Sequence, residues 1–139
     1  MEGNYKLKID EVFSESYYKL KNVYFENHYL DEKESLVTFR LKDSLDNYQL
    51  KDNILYANFT RKLAPEGNNS IIITVTYDFR ARIKEGCGIA KDIDAIIEVA
   101  ESDKTQLLAR AISEATWTIA NLTKSAGFDV IITAPVFVD

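Results

Sequence analysis

The stretch ESDKTQLLARAISEATWTIANLTKSAGFDVIITAPVFVD, residues 101–139, decides how the chain folds. Asp103 stands where a helix N-cap belongs, and Gln106 follows three residues later as its capping-box partner. The spacing predicts an amphipathic helix from there to about Lys124, closed by Gly127. Leu108, Ala111, Ile112, Ala115, Ile119 and Leu122 recur at helical spacing and form one apolar stripe. Such a stripe must cover an apolar surface. Trp117 breaks the pattern. It falls beside Arg110, Glu114 and Asn121, on the side opposite the stripe. A tryptophan on a polar helix face points to a second surface that is buried by another subunit. These four residues are therefore the expected contact of a homo-oligomer. Beyond Gly127, a short apolar segment runs from Phe128 to Pro135.

The surface for the stripe to cover lies upstream, in four runs that read as antiparallel strands near 17–28, 36–43, 54–63 and 71–84. The last is the clearest. Ile71, Ile73, Val75, Tyr77, Phe79, Ala81 and Ile83 alternate with Ile72, Thr74, Thr76, Asp78, Arg80, Arg82 and Lys84. Alternation of this length spans roughly 48 Å and suggests a sheet that crosses a subunit boundary or carries a partner, the alternative being a long, bent hairpin inside one subunit. In the second run, Val37, Phe39 and Leu41 point one way and Thr38, Arg40 and Lys42 the other, as in a half-buried strand. The third sends Leu55, Ala57 and Phe59 inward. The first is rich in aromatics, and its alternation slips at Lys21-Asn22, which predicts a bulge near Asn22. Asp43 to Asn47 reads as a loop, Asp52-Asn53 as a turn, and Pro65 to Ser70 as the strongest turn. Ile93, Ile96, Ile97 and Ala100 predict a short helix or helical crossover before the long one. Strands followed by helices make an α+β class, a four-stranded antiparallel sheet with a long C-terminal helix packed on one face. With 139 residues, the length fits a single domain, with residues 1–16 read as a short strand or an N-terminal arm.

At this point the chain resembles a known family. Ala109, Arg110, Glu114, Gly127, Phe128, Ala134 and Pro135 follow the order and spacing of the SecB family of bacterial export chaperones. There a helix that begins alanine-arginine-acidic runs to a Gly-Phe and then to a short extended piece ending Ala-Pro. The resemblance spans roughly Tyr17 to Asp139. It implies an ATP-independent holdase that keeps unfolded or precursor polypeptides export-competent, assembles as a dimer or tetramer, and serves the export motor ATPase. The sequence also departs from the family. The family pattern continues past Ala-Pro into a final helix, where this sequence ends at Val138-Asp139. It carries Cys-Pro and aromatic-Pro pairs before the long helix, where this sequence has neither. Charges from Asp78 to Lys84 replace a glycine-rich strand end. These departures bear on the export motor more than on the fold. They leave open a dedicated SecB-like chaperone of one client, such as an antitoxin, and a non-catalytic scaffold module.

Composition agrees with a binding role. The chain is 46% hydrophobic and 28% charged with two prolines, a folded soluble composition. A net charge of −5 argues against a general nucleic-acid binder, which needs a basic face. No signal peptide opens the sequence and no apolar run reaches membrane-span length, so a cytoplasmic protein without membrane insertion is expected. Cys87 stands alone between two glycines, and a small residue in a turn is its simplest reading. His28 is the single histidine and has no partnered nucleophile or carboxylate at a meaningful spacing. The clusters Asp31, Glu32, Glu34 and Asp43, Asp46 lack calcium-loop spacing. No catalytic residue, metal or other cofactor is expected. What remains is binding. The aromatics of the first run either fill the sheet core or line a surface for extended apolar peptide. The resemblance implies an apolar client groove, for which Tyr18, Tyr24, Phe25 and Tyr29, with Ile93 and Ile97, are the expected lining.

Overall fold

The computed structural model describes residues 6–27, 39–65, 71–127 and 130–139. Four long strands, β1 (Phe13–Asn27), β2 (Phe39–Lys51), β3 (Ile54–Pro65) and β4 (Ile71–Ile83), form one antiparallel sheet in the order β1-β4-β3-β2. One helical turn, α1 (Ile9–Val12), leads into β1. Three helices follow the sheet: α2 (Ile93–Ser102), α3 (Lys104–Leu107) and α4 (Ala109–Ser125). This is the α+β arrangement that strands followed by an amphipathic helix dictate.

The register sets the two faces. Residues opposite one another in an antiparallel pair share a face. Leu55 faces Ala81, Ala57 faces Phe79, Phe59 faces Tyr77 and Leu63 faces Ile73, and all eight are buried. α4 lies over β3 and β4 on this side. Its stripe residues Ala111, Ile112, Ala115 and Ile119 are buried with them, as is Leu108 just before it, and Leu122 is partly covered. Thr74 and Thr76 fall on the opposite face, as the alternation requires. Phe39 and Leu41 pack at the edge of the core. Val37 lies outside the described residues.

Several expectations need correction. Asp43 to Asn47 is not a loop but the middle of β2, with Asp43 and Leu45 buried. Its turn-like residues mark a bulge instead. The register shifts between Asp46 and Gln49, and Asn47 takes a φ of +57°, a left-handed conformation that asparagine tolerates. The Asp52-Asn53 turn is a two-residue hairpin with φ of +54° and +61°, as its composition predicts. The bulge in β1 falls between Leu20 and Asn22, where the alternation slips. Residues 9–16 are no arm: Ile9, Val12 and Phe13 are buried, α2 packs on α1, and β1 begins at Phe13. The helix expected from Asp103 to Lys124 is interrupted at Leu108, whose φ of −103° and ψ of 13° leave the helical region. The hydrogen-bond run crosses the break, since the Leu108 N–H reaches Lys104 and its carbonyl accepts from Ile112. Asp103 does cap α3, accepting from the Gln106 N–H at 3.1 Å. The length of β4 needs no subunit boundary, because β1 and β3 of the same chain pair with it on both sides.

Candidate functional site

The flank of α4 that faces β2 is closed by the chain's own C-terminal segment, and one arginine organises it. Arg61 sits on the helix-covered face of β3, opposite Asp43 of β2, with both side chains fully buried. The two form a bidentate pair: Nε donates to Asp43 Oδ1 and Nη2 to Oδ2, each at 2.8 Å. The remaining donors reach the C-terminal segment. Nη1 bonds to Thr133 Oγ1 at 2.9 Å and to the Ala134 carbonyl at 2.7 Å, and Nη2 to the Val136 carbonyl at 2.7 Å. A buried charge is tolerated only when its donors are met in this way. Asp43 adds a second tether. Its N–H donates to the Val138 carbonyl at 2.6 Å, and its Oδ2 accepts from the Val138 N–H at 2.9 Å. Threonines of the helical layer hold the same segment. Thr123 accepts from the Ile131 N–H and Thr105 from the Phe137 N–H, while the Phe137 ring packs against Phe59 at 6.1 Å. Among the described residues no buried side-chain nitrogen or oxygen lacks a partner.

The opposite flank is open. β1 is an edge strand, paired only with β4 among the described residues. Tyr18, Leu20, Val23 and Phe25 face Phe79, Tyr77, Val75 and Ile73, so all four lie on the helix side. The bulge brings this about, because one extra residue between Leu20 and Val23 returns both to the same face. α4 covers β4 but stops short of covering β1. Leu20 stays 47% exposed and Val23 38% exposed. At the helix border, Tyr18 packs edge-on against Tyr77 and carries the Arg110 guanidinium over its ring at 5.6 Å. The Tyr77 hydroxyl meets Thr118 Oγ1 at 3.3 Å, and burial pushes the Tyr77 phenol up from its ordinary pKa. Trp117, the residue before Thr118, is 65% exposed.

The expected groove residues do not line one wall. Tyr18 and Phe25 lie on the helix side of β1. Tyr24 pairs with Thr74, points to the open face of the sheet, and bonds to Glu26. Ile93 and Ile97 are half-buried on α2, which packs against α1 and β2 at the Phe13 end of β1. Phe25 is about 40 Å along the strand from that end. Tyr29 and His28 lie outside the described residues. The reason is the strict alternation of strands, which a contiguous aromatic run in the sequence does not obey. Leu20 was missed for the same reason, although carrying the alternation through the slip at Lys21-Asn22 places it beside Val23. Arg110, Glu114, Trp117 and Asn121 do share one exposed helix face, bordering the open flank.

No group of three or more histidine, cysteine, aspartate or glutamate residues among the described residues is placed to hold a metal ion. No helix is long and apolar enough to cross a membrane.

Sheet order, register and covering helix together define a SecB-like chaperone fold. In particular, the chain is similar to the Mycobacterium tuberculosis Rv1957 SecB-like chaperone, solved in complex with a ChAD peptide from the Rv1956 HigA1 antitoxin. The TM-score is 0.66 at 7% identity, over 86% of this chain and 83% of that one. At that identity the likeness establishes the fold. A protein of unknown function from Streptococcus agalactiae aligns at TM-score 0.42 and 11% identity, over 86% of this chain and 97% of that one, too loosely to support a reading. No family model matches the sequence, and no curated protein matches it.

Proposed function

We propose that this protein is an ATP-independent chaperone that holds a non-native polypeptide segment, and that it is dedicated to a narrow client such as an antitoxin. One observation carries the reading. In a SecB-like fold, the helix side of edge strand β1 leaves Leu20 and Val23 uncovered between Tyr18 and Phe25, at the border of α4. A run of apolar side chains at strand spacing suits an extended apolar segment. The edge of β1, unpaired among the described residues, can add hydrogen bonds that do not depend on client sequence. General service to export, which the sequence resemblance implies, has less support than the dedicated role. The similar Mycobacterium tuberculosis chaperone was captured with an antitoxin peptide.

The same reading takes the exposed face of Arg110, Glu114, Trp117 and Asn121 as the contact between copies in a homo-oligomer, and the cytoplasm as the place of action. The test is a titration of fluorescent, permanently unfolded polypeptide without nucleotide, alongside a disordered antitoxin segment. The dedicated role predicts binding of both, with the antitoxin segment tighter. Equal affinity for unrelated precursors would return the reading to export. No binding of any unfolded chain by the folded protein would overturn the chaperone reading altogether.

A further inference from the structure

The face of the sheet away from the helices carries a charge pattern that the client reading does not use. The register lays it out in rows. One row runs Gln49, Tyr56, Arg80, Tyr17; the next Asp46, Asn58, Asp78, Lys19; then Ser44, Thr60, Thr76, Asn22; then Lys42, Lys62, Thr74, Tyr24. The first two rows line a hollow of about 500 Å³ in which Arg80 lies between Tyr17 and Tyr56, and in which Asp78 is paired with Lys21. Arg80 makes no ion pair among the described residues, and neither tyrosine beside it can neutralise it. In the last row Lys42 stands directly opposite Lys62, again with no ion pair to either. Like charges placed opposite one another on a sheet are destabilising. Eight basic residues, Lys19, Lys21, Arg40, Lys42, Lys51, Lys62, Arg80 and Arg82, share this face with Glu15, Glu26, Asp46 and Asp78. The chain as a whole is acidic at −5, so positive charge is gathered here against the overall balance.

We propose that the open face of the sheet docks an acidic, extended polypeptide segment, with one carboxylate cluster on Arg80 and a second on the Lys42–Lys62 pair. The two anchors lie about 20 Å apart, from Tyr56 to Lys62 along β3. A guanidinium with no ion pair among the described residues suits a carboxylate, which it binds with two parallel hydrogen bonds, while the Tyr17 hydroxyl beside it is held by Glu15. The spacing favours polypeptide over nucleic acid. Asp46 and Asp78 lie between the anchors, where a regular run of phosphates would be repelled. A peptide can place a neutral or basic residue there. This surface is separate from the helix side of β1, and the proposal does not depend on the chaperone reading.

The probe is a synthetic extended peptide with two glutamate pairs about 20 Å apart, read by fluorescence anisotropy at low and at physiological salt. Binding is expected at low salt and weaker at high salt. Arg80→Glu with Lys62→Glu should lower affinity at least about tenfold. The same double variant should bind permanently unfolded polypeptide within about twofold of wild type, and Leu20→Ser with Val23→Ser should leave the acidic peptide unaffected. The proposal is overturned if the acidic peptide fails to bind, if the charge reversals do not weaken it, or if an oligonucleotide of matching length binds as well or better.

Discussion

The two flanks of α4 meet the same sheet and are finished in opposite ways. Toward β2, the chain closes the core with its own C-terminal segment, strapped down by Arg61, Asp43, Thr105 and Thr123. Toward β1, the sheet extends past the helix and Leu20, Val23 and Trp117 stay in solvent. Both flanks need apolar cover, yet among the described residues only the β2 flank receives it in full. A strand edge that a protein leaves apolar and unpaired invites association unless it is used. The difference therefore separates what stabilises the single chain from what the chain presents to others.

The comparison breaks most sharply at Arg61. Arg61→Ala strands the Asp43 carboxylate in the core and frees three acceptors of the C-terminal segment. It should cost about 3–5 kcal/mol, read by chemical denaturation. Arg61→Met with Asp43→Leu removes both charges together and should cost clearly less than Arg61→Ala alone. A near-neutral Arg61→Ala would show that the closed flank does not depend on the pair.

On the open flank, Trp117→Glu should lower the native mass at micromolar concentration. A full aromatic anchor contributes about 2 kcal/mol or more to a subunit contact. Stability of the single chain should change by less than about 0.5 kcal/mol, because the residue is exposed. Wild-type mass in the variant would remove this face from the assembly. Next, Leu20→Ser with Val23→Ser should weaken binding of permanently unfolded polypeptide by about 1–2 kcal/mol, with little change in the denaturation midpoint. A large loss of stability would instead mark these side chains as part of the core.

The smallest effect concerns Tyr48, which joins β2 to α2 through Glu101. Burial, then the hydrogen bond to Glu101, raise its phenol above the ordinary value. A raised phenol pKa in the folded state stabilises the fold fully below about pH 10 and loses that contribution as the pH rises through the alkaline range. Tyr48→Phe should flatten this alkaline fall and cost about 1 kcal/mol at neutral pH. An unchanged alkaline profile would assign the fall to other groups.

Much of the architecture was legible because it rests on periodicity. The alternation from Ile71 to Ile83 fixed which side chains meet the helix, and the stripe from Leu108 to Leu122 fixed how the helix lies. The bulge near Asn22 was legible as a slip in phase. Asp43 to Asn47 was misread because its polar residues match a turn, while the partner that makes a buried aspartate tolerable, Arg61, is distant in the sequence. Nothing in local spacing announces such a pair. The placement of the expected groove residues was legible only in part. Tyr18 and Phe25 fall on the open flank, but Tyr24, Ile93 and Ile97 were grouped with them by composition, and alternation and distance separate them. Resemblance led to the fold. The choice between clients rests on surfaces that a composition does not resolve.

Hydrogen–deuterium exchange of the protein alone and with permanently unfolded polypeptide tests the contrast between the flanks most directly. New protection is expected only in β1, in peptides covering Tyr18 to Phe25, with Ile131 to Val138 unchanged. Protection gained or lost over Ile131 to Val138, with β1 unaltered, would contradict this and place the client on the flank that the chain itself closes.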